Sequence, residues 1–405
     1  MITKNPRGKN TVQLQLENRS TLLKLLRQHD HVCRKDLAEM SGLTGAAVTN
    51  LIRDLIEIGL VKEDRDFASS SGKNAIPLQL NFRRFLAVGV NLRRDHISYA
   101  LFDLSGALLE KNKLYWETGA SIAEILNQLY LAVQSCIQSN ENKGRVIGIG
   151  VSAPGPINLE KGELALVSNV PSEWKQSVPI KRYLEERFNL PVLLDNNSNA
   201  AALAEKWFSE GQECHNLVSI FISKGMGAGV IIDDQIYHGA FGFAGEIGHM
   251  SINFDGPACG CGNKGCLELY CSTMALLAKA QQIRGSDTIS RFEVFKEQVK
   301  KGDPDLMKLV VESGKYLGYA IVNLTNTFNP ELIVINGDMN DFGSFWLDSI
   351  RQAALERLPP EVAAGLRIKL TSLSENPLLL GTVAMVSNYI FENPELNLFV
   401  AKWQA

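Results

Sequence analysis

From residue 85 onward the chain alternates short apolar runs with longer amphipathic ones, and that alternation admits little besides an α/β fold. Residues 85–90, 97–104, 146–151, 192–194, 218–222 and 229–232 predict strands, and 121–137, 179–188 and 200–208 predict helices. A strand-turn-strand opening occurs twice, at 87–103 and at 218–236, which points to two related lobes. No solenoid period runs through the chain. At about 150 residues per domain, 405 residues make two or three domains.

The first 80 residues follow a different rule. Leu22, Leu25 and Leu26 mark the apolar face of one helix, Lys35 to Met40 form a second ended by Ser41-Gly42, and Thr44 can cap a third. In the third, Val48, Leu51, Ile52, Leu55 and Ile56 recur at helical spacing, and Gly59 closes it. Two helices joined by a short glycine-containing turn form a helix-turn-helix, whose second helix enters the major groove. At 100° per residue Ala46, Asn50 and Arg53 lie opposite the apolar stripe, with Thr49 at its edge. Small residues near the helix start permit close approach to DNA, Asn suits adenine, and Arg suits guanine or phosphate. Residues 60–63 and 76–80 predict the strands of a wing. Between them a polar stretch, 68–74, carries Lys73, a cation able to lie along a minor groove or a phosphate row. The DNA-contacting set is therefore Thr44, Ala46, Thr49, Asn50, Arg53 and Lys73.

Charge supports this division. Residues 1–75 hold 12 Lys+Arg against 9 Asp+Glu, while the remainder holds 29 against 35, a basic head on an acidic body. The net charge of −3 excludes a protein that coats nucleic acid along its whole surface. No apolar run approaches the roughly 18 residues of a membrane span, and the polar N-terminus lacks a secretory pattern. A cytoplasmic protein without membrane insertion is expected. Four of the seven cysteines fall between 259 and 271. Such clustering in a cytoplasmic chain favours a metal over disulfides.

One stretch is more specific. Ala244-Gly245-Glu246-Ile247-Gly248-His249-Met250 is followed by Cys259-Gly260-Cys261-Gly262-Asn263-Lys264-Gly265-Cys266-Leu267-Glu268. With the runs at 153–157, 199–205 and 323–337, it resembles the signature of the ROK family of repressors and sugar kinases, and the resemblance covers nearly the whole chain after residue 12. It implies an N-terminal winged helix-turn-helix followed by a two-lobed actin-like, ribonuclease-H-like sugar-kinase fold. The expected domains are 1–80 for the DNA-binding head and linker, 81–196 for the first lobe with 379–405 returning to it, and 197–378 for the second lobe with the metal site and an oligomerisation surface. The added head resembles that of the family's xylose, N-acetylglucosamine and glucose repressors.

His249, Cys259, Cys261 and Cys266 supply one imidazole and three thiolates, a closed tetrahedral set for one structural zinc ion per chain. The resemblance assigns sugar contacts to Gly155, Asn196, Asn197, Glu246, His249 and Glu268, with His249 serving both metal and sugar. The nucleotide side departs from the family. Its kinases carry a catalytic aspartate in an Asn-Asp-Ala-Asn run, whereas this chain reads Asn196-Asn197-Ser198-Asn199. An amide cannot accept the hydroxyl proton, which removes a general-base contribution of about 10²–10⁴ in rate. Asp195, two residues earlier, is the one nearby carboxylate. The first phosphate loop has lost its glycines to Asn91-Leu92-Arg93-Arg94-Asp95, and the second begins Ser223-Lys224-Gly225. The linker reads Gly72-Lys73-Asn74 where related repressors carry an arginine, so the operator can differ.

The reading is a sugar-responsive DNA-binding regulator that is not an enzyme, acting on operator DNA as a homodimer or homotetramer. Two alternatives stand: an ATP-dependent sugar kinase carrying a DNA-binding domain, and a repressor governed by a partner protein such as a phosphotransferase-system component.

Overall fold

The structure, a computed structural model, describes residues 11–29, 31–64, 76–93, 96–117, 120–155, 157–164, 178–392 and 394. The chain opens with α1 (Thr11–Gln28), α2 (Arg34–Ser41) and α3 (Gly45–Glu57), then the short strands β1 (Val61–Glu63) and β2 (Leu78–Leu80). Leu22, Leu23, Leu26, Leu37, Val48, Leu51, Ile52 and Leu55 form the buried centre of this head. Leu23, not Leu25, completes the stripe of α1, and Leu25 and Ile56 are only half-buried. Arg19 of α1 reaches across to Asp54 of α3 at 3.2 Å, and β1 pairs antiparallel with β2, Lys62 opposite Gln79. The wing is shorter than expected at its return, where Ile76 and Pro77 precede the first ladder residue.

Next come β3 (Phe85–Leu92), β4 (His96–Asp103), β5 (Leu108–Tyr115), α4 (Ile122–Gln138), β6 (Arg145–Ala153), the small hairpin β7 (Ile157–Asn158) and β8 (Glu163–Leu164), α5 (Ile180–Phe188), β9 (Val192–Asn196) and α6 (Asn197–Phe208). Ser121 and Glu124 cap α4 reciprocally, each side chain bonding the other's backbone N–H, which fixes where that helix begins. The second series holds β10 (Leu217–Ile222), β11 (Met226–Ile232), β12 (Gln235–Ile236), α7 (Glu268–Cys271), α8 (Thr273–Arg284), α9 (Phe292–Lys300), α10 (Pro304–Phe328), β13 (Leu332–Gly337), α11 (Gly343–Leu355), α12 (Pro360–Gly365), β14 (Arg367–Leu370) and α13 (Pro377–Glu392).

The two five-stranded sheets have one order. It is β5-β4-β3-β6-β9 in the first and β12-β11-β10-β13-β14 in the second, so each runs third, second, first, fourth, fifth. In the second sheet β10 pairs antiparallel with β11 and parallel with β13, placing Ile220 between Ala228 and Ile335. This repeat bears out the duplication seen in the sequence. The described chain packs as two compact units. One takes the residues up to Val151, Ile180–Leu193 and those from Thr382 on; the other takes Ser152–Pro179 and Leu194–Gly381.

In the second unit α6 is buried along most of its length, from Asn199 to Trp207. Its alanines permit this, because a helix enclosed on all sides needs small side chains where neighbouring backbones come close. At Gly381 an added Cβ would stand 1.9 Å from the carbonyl oxygen of Ala200. That oxygen belongs to a helix backbone and cannot rotate away. We therefore expect Gly381→Ala to lower stability by about 1–3 kcal/mol through overpacking, outweighing the ~1 kcal/mol by which Ala is favoured over Gly inside a helix. Gly365→Ala, with nothing within 4 Å of the new methyl, should be neutral or slightly stabilising. Denaturant midpoints of the two variants check this, and equal midpoints would contradict the packing.

Candidate functional site

Three sites are built from these elements, the first in the head. Thr44 caps α3, its Oγ1 accepting the Ala47 N–H at 3.3 Å, as its position before the apolar stripe predicts. Ala46, Thr49, Asn50 and Arg53 are exposed together with Thr44, so the polar face of α3 is free of the head's core. The Arg19–Asp54 pair holds the opposite edge of the helix. Arg53 itself lies 3.7 Å from Asp54, a loose exposed contact that leaves its guanidinium available. Lys73 lies outside the described residues.

The second site gathers His249, Cys259, Cys261 and Cys266, whose ligand atoms all lie within 4.8 Å of one another. Cys261 Sγ is 3.7 Å from Cys266 Sγ, and Cys259 Sγ is 3.8 Å from His249 Nδ1. A tetrahedron with metal–sulfur bonds of about 2.3 Å has edges of about 3.8 Å, so the donor spacing fits a four-coordinate ion such as zinc. Local backbone bonds shape the cradle. Cys259 N–H donates to Asn263 O at 2.8 Å, and Ile252 N–H to Gly265 O at 2.9 Å. Gly265 has φ +62°, and a Cβ there would stand 1.7 Å from Asn253 O, so only glycine lets the strand close on itself. Burial raises the Cys259 thiol and pushes Cys266 up to about 12, whereas the backbone N–H of Asn263 lowers Cys261.

The third site is polar and shares His249. Glu268, first residue of α7, places Oε1 3.3 Å from His249 Nδ1 and 3.3 Å from Cys259 Sγ. Glu246 lies on the segment before His249. Its carboxyl is raised above the ordinary value chiefly by burial, with His249 opposing and Glu268 reinforcing the shift. The segment is pinned at Gly245, which has φ +85°, accepts the Ala228 N–H at 2.7 Å and leaves no room for a Cβ against Ala228 O. Asn196 and Asn197 stand where β9 passes into α6. Asn196 Oδ1 caps that helix by accepting Asn199 N–H at 2.8 Å, so a sugar role is left to its amide N–H₂. Gly155 belongs to the same unit and has φ +85°.

Residues 87–388 match the profile of the ROK family, and residues 16–62 match a winged helix-turn-helix DNA-binding profile. The chain belongs to the ROK family. It is 30% identical to the xylose repressor of Caldicellulosiruptor bescii over 96% of this chain and 99% of that one. It is 32% identical to the DNA-binding transcriptional dual regulator NagC of Escherichia coli over 82% and 83%. Among solved structures, a ROK family transcriptional regulator homologous to the E. coli MLC protein superposes with a TM-score of 0.83 at 28% identity, covering 95% of this chain and 99% of that one. A ROK family glucokinase from Streptomyces griseus, solved with glucose and AMPPNP, gives 0.62 at 27% identity over 74% and 98%.

In the two segments that the resemblance assigns to the nucleotide, several described groups are bonded within the chain. Asn91 is buried on β3 opposite Ser98, and Arg93 N–H bonds His96 O at 2.9 Å where β3 turns toward β4. Arg94 and Asp95 lie outside the described residues. In the second loop the Ser223 N–H donates to Gly225 O at 2.8 Å, and Ser223 Oγ donates to Asp338 Oδ2 at 2.6 Å. Neither donor is left for a phosphate oxygen. Asp195 is equally committed. Oδ1 accepts from Asn196 N–H at 2.7 Å and Asn199 Nδ2 at 2.8 Å, and Oδ2 bonds His238 Nε2 at 2.7 Å. His238 escaped the sequence reading. The available signal was its place eight residues before Glu246, on the stretch joining β12 to that segment.

Proposed function

We propose that the protein is a sugar-responsive transcriptional repressor whose kinase-like body binds its ligand without phosphorylating it. The observation that carries the proposal is an asymmetry within one chain. His249 and Glu268 meet at 3.3 Å beside the half-buried Glu246, whereas Ser223, on the second phosphate-loop segment, has both its donors bonded within the chain. Asn197 stands where the family's kinases have their base. Asp195, the nearest carboxylate, is held by three hydrogen bonds, two on Oδ1 and one from His238 on Oδ2, so it is oriented by its own fold and not aimed as a general base must be.

In this reading Asn50 and Arg53 read bases, Ala46 and Thr49 allow close approach, Thr44 fixes the helix start, and Lys73 reaches a phosphate or minor groove. The functional parts are 1–80 for DNA, and 81–196 with 379–405 and 197–378 for the two lobes of the sensor. Sugar hydroxyls meet Glu246, Glu268, His249 and the amides of Asn196 and Asn197, with Gly155 lining the site. Two half-sites one helical turn apart call for two heads, hence a homodimer or homotetramer. Among the described residues no helix is long and apolar enough to cross a membrane, in keeping with a cytoplasmic regulator. The named relatives make D-xylose and N-acetyl-D-glucosamine the first effectors to try.

His249, Cys259, Cys261 and Cys266 would hold one zinc ion, which would cross-link the fold as a structural site. It would tie the Glu246 segment to the start of α7, so loss of metal should disturb the sugar site as well. Protein purified without chelators should contain one zinc per chain, and Cys261→Ala should lose both the metal and the sugar-induced rise in melting temperature. A Cys261→Ala protein that keeps the rise, or a parent without zinc, would remove the assignment.

A paired substitution tests the division of labour. Arg53→Ala should weaken operator binding by about 1–3 kcal/mol and leave the sugar affinity unchanged. Glu246→Ala should bind operator like the parent and no longer release it when sugar is added. Gel-shift titrations with and without sugar separate the two. If Glu246→Ala responded at the parent's sugar concentration, the pocket would lie elsewhere. If no sugar moved the parent, control by a partner protein of the phosphotransferase kind would take its place.

A further inference from the structure

The polar site has two halves that are distant in sequence: the corner Asn196-Asn197 where β9 enters α6, and the segment that carries Glu246. An atom placed at the Cβ position of Gly227 would stand 2.5 Å from Ser198 Oγ and 3.7 Å from Gly245 O, so the first turn of α6 and the Glu246 segment meet at the same point of β11. Backbone bonds fix the second half to β11 through Gly245 and Ala228. The first half is held by Asp195, a buried carboxylate whose Oδ1 gathers the Asn196 N–H and the Asn199 amide. A carboxylate that binds on one oxygen alone can still swing about its χ2 axis. The second oxygen stops that swing, and its partner is His238 Nε2 at 2.7 Å.

His238 is well placed to join the halves. It follows β12, and its own carbonyl accepts the Ala244 N–H at 3.2 Å, closing the loop from which Glu246 departs. Its side chain is about one-third exposed and that of Asp195 nearly buried, so the bond forms at the rim of the site, where screening by solvent is incomplete. The hydrogen bond to Asp195 raises the imidazole above its ordinary value against the opposing effect of burial. A charge-assisted bond of this kind is among the stronger ones a fold can make.

We propose that His238 is a positioning residue of the sugar site: its bond to Asp195 holds the Asn196-Asn197 corner in register with the loop that presents Glu246. The proposal rests on the sugar-site reading given above. His238 need not touch the ligand. Its contribution is preorganisation, and without it the ligand must order the corner as it binds, which weakens affinity and not the chemistry of recognition.

The test uses the full chain, with D-xylose, D-glucose and N-acetyl-D-glucosamine as probes in calorimetric titrations. His238→Ala should weaken the probe that the parent binds by about tenfold, the size of effect expected for a lost charged hydrogen bond. His238→Gln, which keeps an N–H donor at similar reach, should recover most of that loss. Hydrogen exchange read without sugar should quicken in both segments, 195–200 and 238–246, in His238→Ala and in neither with His238→Gln. If the alanine variant does not fold, His238→Leu fills the same space without a donor and takes its place. Equal affinity in parent and alanine variant would overturn the proposal and leave the sugar site standing. Equal losses in the alanine and glutamine variants would reduce His238 to a packing residue and overturn it too. A parent that binds none of the probes would overturn the sugar reading and this proposal together.

Discussion

The close approach of backbones around α6 is the constraint on which the second unit depends. This helix lies against β10 and β11 and is met by the start of α13, and at Gly229 and Gly381 a glycine meets its backbone so closely that no side chain fits. Interiors packed this tightly transmit strain instead of absorbing it. The N-terminal end of the same helix carries Asn196 and Asn197, so the placement of polar groups that could meet a ligand follows from how α6 is seated. Asp195 completes the arrangement. With three hydrogen bonds to two oxygens, it fixes the corner from which α6 departs.

The cluster of His249, Cys259, Cys261 and Cys266 plays the same part for the other polar groups. Helix α7 has only four residues and could not fix Glu268 by itself. Its neighbour Cys266 belongs to the four-ligand set, and His249 belongs to the set and to the polar site at once. The Glu246–His249 segment and the start of α7 are thereby joined through side chains where the backbone has little regular structure to offer. On the segment at Ser223, both donors of that residue are satisfied within the chain. A ROK body reports a ligand only if that ligand binds two of its conformations with different affinity.

Much of this was legible in the sequence because the signals are local. The apolar stripe and cap of α3, the strand-turn-strand openings and the Cys-Gly-Cys spacing each operate within about a dozen residues, where periodicity and turn chemistry dominate. On α1, Leu22, Leu23, Leu25 and Leu26 offer two apolar stripes, and periodicity alone does not choose between Leu23, which is buried, and Leu25, which is half-buried. Asp195–His238 and Ser223–Asp338 join residues 43 and 115 apart, and nothing in either neighbourhood announces its partner. The capping of α6 by Asn196 is visible only once the helix is seen to begin at Asn197 and not at Ala200.

The central claim is that one chain couples an operator-reading head to a sugar-binding body. The most direct measurement is the affinity of the full chain for its operator by fluorescence anisotropy, at fixed salt, across a titration of sugar. The account predicts a shift in operator affinity with one sugar, and an equal, reciprocal shift in sugar affinity when operator is present, since the coupling free energy is shared. Sugar that binds the protein yet leaves operator affinity unchanged would contradict it.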